Sequence, residues 1–206
     1  MFELFKSQKK VGGEIAYHNL TEWWLETFNK QERDYIVKTF QPLGGSGDVL
    51  VKGEIRSISG SAVSLLGNLA GWFKNVEDRG IGYKLLDKAE KIINNNTEVL
   101  DVHFFYQNKI EFYYRFRDVD SESFNTAVEA CRKQIELSSD TVPVFRKEYE
   151  NEELPRHVGY EQLAIILEKQ EEYDEVISLC RQAKEQAWNG DWDKRIERCL
   201  KKKSKK

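Results

Sequence analysis

Two stretches of this chain, 94 residues apart, carry the same apolar pattern across a pair of helical segments. In "GYEQLAIILEKQEEYDEVISLCRQAKEQAW", Tyr160, Leu163, Ala164 and Leu167 recur on one helical face, and Val176, Cys180 and Ala183 recur on a second. Leu66, Leu69, Ala70 and Phe73 repeat the first spacing, and Gly82, Leu86 and Ala89 repeat the second. Leu66 lies 16 residues before Gly82, and Tyr160 lies 16 before Val176. A lone amphipathic hairpin has no need of a matched connector, so the shared register predicts a repeated helix pair. Ala164 and Ala183 are the small residues at which neighbouring helices can approach closely.

The rest of the chain suits that reading. Three prolines in 206 residues leave room for long helices. Hydrophobic residues at 40% and charged residues at 33% are globular proportions, too apolar for disorder. Residues 1–18 read as a loose arm. "NLTEWWLETF" predicts a short helix with Thr21 as its N-cap. In "NKQERDYIVKTF", Asn29 followed by Glu32 has capping-box spacing, with Tyr35, Ile36 and Phe40 as an apolar stripe. Pro42, Gly44, Gly45 and Gly47 end it. "DVLVKGEIRSIS" is the one strand-like piece. From Ser61 the pattern is helical almost throughout, broken by a charged linker, "DTVPVFRKEYENEELPRH". Asp191 is placed to cap the final helix, "DWDKRIERCLKKK".

The paired segments resemble the tetratricopeptide repeat, a family whose unit is two antiparallel helices of about 34 residues. Ala164 stands where that family most often has glycine, Val176 where alanine is usual, and Trp188 where a proline often closes the unit. A middle pair fits less closely. Ala127, Cys131 and Gln134 follow the second-helix spacing, and Tyr106, Ile110 and Tyr113 the first, but the turn "RFRDVDSES" is then about five residues longer than is usual in the family. The resemblance implies an all-α fold, a short superhelical stack of antiparallel helix pairs with an N-terminal helical extension. Residues 1–60 would form the arm and extension, 61–190 the repeats, and 191–206 a capping helix with a basic tail.

The resemblance also implies a function, that of a non-enzymatic scaffold or adaptor holding a protein or peptide in a concave groove lined by first helices. The matching positions are Ser64, Gly67, Gly71, Lys74 and Asn75 in the first pair. Phe104, Gln107, Glu111, Tyr114 and Arg115 follow in the middle pair, and Glu161, Ile165, Glu168 and Lys169 in the last. The run "HFFYQNKIEFYYRF" is apolar over more than one helical face, as expected of a helix packed on both sides or used for binding.

Other chemistry finds little purchase. His18, His103 and His157 are far apart and share no metal-ligand spacing, so they read as packing or capping residues, and no metal or cofactor is expected. "QPLGGSGDVLVKG" lacks the Lys-Ser or Lys-Thr and the strand-to-helix context of a phosphate loop. "SISGSAV" lacks the Gly-x-Ser-x-Gly of a nucleophile turn. The acidic "EKQEEYDE" reads as solvated helix surface, and no catalytic residue is assigned. Cys131, Cys180 and Cys199 are an odd number at wide spacing, the mark of reduced core residues in a cytoplasmic protein. No stretch approaches a membrane span. Net charge is −3, so nothing global attracts nucleic acid. The tail "RIERCLKKKSKK" keeps a second reading open, a nucleic-acid-associated regulator gripping phosphates, against solvated lysines. Trp188 and Trp192, flanking Gly190, would clasp the last repeat to the cap.

Overall fold

The computed structural model describes residues 11–150 and 152–205. It is mainly helical, and the chain divides into two compact units, Met1–Ile92 and Ile93–Lys206. That division falls well past the expected boundary at residue 60. Its physical reason is a set of ties between the first helix pair and the helices before it.

In the first unit, α1 spans Gly13–Tyr17, α2 Thr21–Thr27, α3 Lys30–Thr39, α4 Ala62–Ala70 and α5 Arg79–Ile92. Part of the expected loose arm is therefore helix, while residues 1–10 lie outside the described residues. Gly13 starts α1 at φ +59°, and a Cβ there would sit 2.3 Å from the Val49 carbonyl oxygen. Only glycine tolerates both the left-handed backbone and the contact. α2 begins at Thr21 itself, with Leu20 at the cap position and no side-chain cap. The capping box of α3 is formed: Asn29 Oδ1 accepts the Glu32 N–H at 3.0 Å, and Glu32 Oε2 accepts the Asn29 N–H at 2.8 Å. The strand-like "DVLVKGEIRSIS" is no strand. Gly47–Leu50 is a 3₁₀ turn, and Leu50 is buried against the helices. Lys84 then bridges to Glu32 at 2.9 Å, Tyr35 Oη donates to the Asp78 carboxylate at 3.0 Å, and Phe40 meets Trp72 edge-on. These contacts hold α4 and α5 to α3.

In the second unit, α6 spans Val99–Arg115, α7 Ser121–Glu136, α8 Ser138–Arg146, α9 Val158–Lys169, α10 Tyr173–Glu185 and α11 Trp192–Lys203. Two short strands, β1 (Leu154–Arg156) and β2 (Trp188–Asn189), pair in parallel with Leu154 opposite Trp188. The charged linker thus contains a helix and a strand. Thr141 and Phe145 give α8 a buried side against α6 and α7, with the Thr141 hydroxyl donating to the Ser138 carbonyl oxygen at 3.2 Å. The main helix contacts run in a row: α6 on α7, α7 on α9, α9 on α10, α10 on α11, with α6 also touching α9.

The matched register is visible as burial. Tyr160, Leu163, Ala164, Leu167, Val176, Cys180 and Ala183 are all buried, as are Leu66, Leu69, Ala70, Phe73, Leu86 and Ala89. Equal sequence spacing nevertheless spans unequal connectors. α9 gives way to α10 after three residues, whereas α4 stops at Ala70 and Phe73 reaches the core from a turn before the 3₁₀ segment Val76–Asp78.

Gly159, in the first turn of α9, marks the closest approach of α9 to α7. A Cβ there would lie 2.9 Å from both the Cys131 carbonyl oxygen and Gln134 Oε1. Alanine would be about 1 kcal/mol better than glycine in an unobstructed helix. Here Gly159→Ala should instead lower stability by about 1–3 kcal/mol through overpacking, read from urea unfolding. A stabilised variant would place α9 further from α7.

Candidate partner-binding face and the buried cluster behind it

The expected groove residues fall into both units. Within the first unit, Gly67 is buried and Ser64 half-buried, while Gly71, Lys74 and Asn75 are exposed. Asn75 Nδ2 donates to Asp78 at 3.0 Å. These exposed positions of the first pair thus lie just past the C-terminal end of α4.

In the second unit, α6 carries a coherent row. At 100° per residue, Phe104, Glu111 and Arg115 lie within about 40° of one another, and all three are exposed. Phe104 is 45% exposed, high for a phenylalanine. Gln107 and Tyr114 flank the row half-buried. Gln107 Nε2 donates to Glu111 at 3.4 Å, and the Arg117 guanidinium lies 4.4 Å from the centre of the Tyr114 ring. The opposite arc, with Val102, Phe105, Ile110, Phe112 and Phe116, is buried. The aromatic run is therefore packed on most sides and open along one strip.

On α9, Ile165 is half-buried and Lys169 exposed. Glu161 is held by Arg156, and Glu168 is committed inside the chain. Its carboxylate receives Arg195 at 3.0 Å, Arg198 at 2.7 Å and Lys202 at 3.0 Å, all from α11. Hydrogen bonds from Arg198 and Lys202 outweigh burial and pull the Glu168 pKa down to about 2. The tail lysines are correspondingly less free than the sequence suggests. α11 runs through Lys203, Lys202 is bound to Glu168, and Lys203 pairs with Asp174. Asp191 sits at the cap position without a capping bond and faces Arg195 at 3.5 Å.

Behind α6 lies a buried cluster that the sequence does not announce. Gln134 Nε2 donates to the His103 carbonyl oxygen at 3.0 Å and lies 3.5 Å from His103 Nε2, while Gln134 Oε1 accepts the Gly159 N–H at 2.7 Å. His157 caps α9, its Nδ1 accepting the Tyr160 N–H at 3.3 Å. The two imidazoles meet edge to face at 5.1 Å, and Trp188 and Phe145 close round them. Tyr160 Oη donates to Gln186 Oε1 at 3.2 Å, and Gln186 Nε2 donates to Ser138 Oγ at 3.0 Å. Trp192 Nε1 donates to the Trp188 carbonyl oxygen at 2.6 Å, the clasp expected between these tryptophans. His103 Nδ1 and His157 Nε2 have no hydrogen-bond partner among the described residues. The one sequence signal for this cluster is Gln134 itself, an amide in a register otherwise filled by Ala127 and Cys131.

His103, Gln134 and His157 are buried while Gln186 is half-buried, and the members of the cluster pack and cap rather than converge on an open site. No group of three or more His, Cys, Asp or Glu residues is arranged to hold a metal among the described residues. The three cysteines are free and buried, and burial raises the Cys131 and Cys180 thiols to about 12. No helix of the described residues is long and apolar enough to cross a membrane. The first unit adds an open cleft of about 1280 Å³ bordered by Tyr17, Trp24, Leu25, Arg33 and Ile55, which sequence patterning does not reveal. No family model, no curated protein and no solved structure matches this chain.

Two expectations follow from the charges. Burial lowers His103 to about 4, and burial with the neighbouring His103 lowers His157 to about 3. Unfolded histidine titrates near 6.5, so the unfolded chain binds more protons below that pH. Their contribution is complete above about pH 6.5 and is lost progressively as pH falls toward 4. The Glu168 contribution is lost only below its unfolded value, near 4.5. The thermal midpoint should therefore fall between pH 6.5 and 5, and a His103→Gln, His157→Asn double variant should flatten that fall. Second, Arg195 and Glu168 have side chains only 9% and 11% exposed. Glu168→Gln leaves a buried guanidinium facing a neutral amide and should cost about 3 kcal/mol in denaturant unfolding. A loss below about 0.5 kcal/mol would show the cluster to be a solvated surface pair.

Proposed function

We propose that the chain is a non-enzymatic scaffold that holds a protein or peptide partner along α6, in a tetratricopeptide-like stack. The observation that carries the reading is the open row on α6. Phe104, Glu111 and Arg115 stand exposed on a helix whose other faces are filled by α7, α8 and α9. An exposed phenylalanine at one end of a row that continues to a carboxylate and then a guanidinium suits a partner with an apolar anchor and both signs of charge beside it. The row of helix contacts from α6 to α11 favours a stack in which successive pairs each bury the previous one, as repeat arrays do. Ala164 and Ala183, both fully buried, are consistent with the close packing that such pairs require.

In this reading the aromatic and arginine positions contribute most of the affinity, and Glu161 and Glu168 contribute little because both are already paired within the chain. Tyr114 is secondary, since Arg117 covers its ring.

The test uses a photo-reactive side chain at Phe104 in the native host, with the same group at Arg181 on α10 as control, and identifies what is cross-linked at the first position alone. Against that purified partner, Phe104→Ala with Arg115→Ala should weaken binding by roughly 1–2 kcal/mol per residue while helical content is unchanged. Normal affinity in the double variant would remove α6 as the binding element.

A further inference from the structure

We propose that the exposed face of α11 binds the phosphate backbone of a nucleic acid without reading its sequence. Lys194, Arg198, Lys201, Lys202 and Lys205 line a shallow groove of about 270 Å³, with Glu197 the one carboxylate in its lining. Lys194, Arg198 and Lys201 lie within about 60° of one another on the helix, and at 1.5 Å per residue the row from Lys194 to Lys205 extends about 16 Å.

The groove is arranged for anions. Seven cations against three carboxylates occupy Asp191–Lys205, in a chain whose total charge is −3. The positive charge is thus concentrated on one helix. Cations at helical neighbour spacing repel one another, and solvated surfaces usually relieve this by interleaving acids. Here the relief comes from beneath. Glu168 holds Arg195, Arg198 and Lys202 at once and Asp191 also faces Arg195, so two negative charges hold three positive ones and leave an excess of one. Lys194, Lys201 and Lys205 make no ion pair among the described residues.

The shape of the site selects the class of anion. A shallow open groove does not enclose a small molecule, whereas a row of fixed cations matches a polymer with regularly repeated charge. Bilayer binding by a basic helix calls for an apolar face that enters the headgroup region. The groove lining has no apolar residue. Leu200, the exposed apolar residue of α11, sits about 100° from Lys201. The lining also lacks aromatic residues for base stacking, so contact is with phosphates alone.

The experiment is a fluorescence-anisotropy titration of the full chain with a labelled random-sequence DNA duplex of about 24 base pairs, from about 50 to 200 mM salt. Three or four phosphate contacts predict a Kd that weakens by about 40- to 150-fold across that range, equally for unrelated sequences. The Lys194→Gln, Lys201→Gln, Lys205→Gln variant should bind at least about tenfold more weakly with a shallower salt dependence. These residues are exposed, so circular dichroism should be unchanged, and Lys201→Gln alone should give a smaller loss in the same direction. Phe104→Ala with Arg115→Ala should leave duplex binding intact, which keeps this inference separable from the partner reading of α6. Absence of duplex binding at the lowest salt, or unchanged salt dependence in the triple variant, would overturn it. So would binding to phosphatidylserine-containing vesicles in place of the duplex, which would assign the groove to lipid headgroups.

Discussion

One side-chain amide holds the second unit in register. Gln134 leaves α7 and bonds in two directions, donating to the carbonyl oxygen of His103 in α6 and accepting the Gly159 N–H of α9. A buried amide left unpaired costs several kcal/mol, so the helices must meet where both ends of Gln134 are satisfied. Apolar packing alone tolerates sliding by a turn, but this bond pair does not. Its length also sets the spacing between α7 and α9, which is why residue 159 has no room for a Cβ. His157 and Tyr160 then follow from the same start of α9, and through Trp188 and Gln186 the constraint passes to the segment that leads into α11.

A second polar device fixes the far end. Glu168 accepts three cations from α11 and orients that helix against α9. The two devices differ in what they do to the surface. The Gln134 bridge is neutral and sealed, and its effect is geometric. The Glu168 cluster reaches solvent through Arg198 and Lys202, whose side chains are about half exposed. Structure and surface charge are therefore linked at α11, because the carboxylate that anchors the helix also holds its cationic face in place.

The sequence exposed whatever repeats and concealed whatever bridges. Apolar periodicity placed Tyr160 to Ala183 on two packed faces, and the Asn29–Glu32 spacing marked a cap that forms. It missed α8, because Pro143 and the charges of "FRKEYENEE" hide a short buried side made of one polar and one aromatic residue, Thr141 and Phe145. It left "DVLVKGEIRSIS" as a strand-like piece, a short hairpin or an extended connector, because valine and isoleucine follow no clean alternation there; they serve a 3₁₀ turn and loop under α1. It equated connector lengths that differ, because equal spacing of buried residues does not require equal helix ends. Of the candidate binding residues, those on α6 came from the family resemblance, and helical angle places Phe104, Glu111 and Arg115 of that set on one exposed strip. Glu168 was not, since its partners lie about 30 residues away on another helix and no local pattern links them.

The two open surfaces of the second unit rest on opposite physical terms, and this bears on how they would work together. The α6 row offers an exposed aromatic ring, and contacts of that kind gain from displaced water and are little affected by salt. The α11 groove offers fixed charge in high dielectric, where attraction depends on ionic strength and acts over about 10 Å at physiological salt. Both elements are anchored in the same unit by buried polar contacts, so a ligand at either one meets a preorganised surface rather than one it must order. Because the row of helix contacts runs from α6 to α11, the two surfaces share one packed stack while their specificity differs. A protein bound at α6 and a phosphate backbone bound at α11 would be distinguished by salt alone: the second is released first as ionic strength rises, with the helix stack intact.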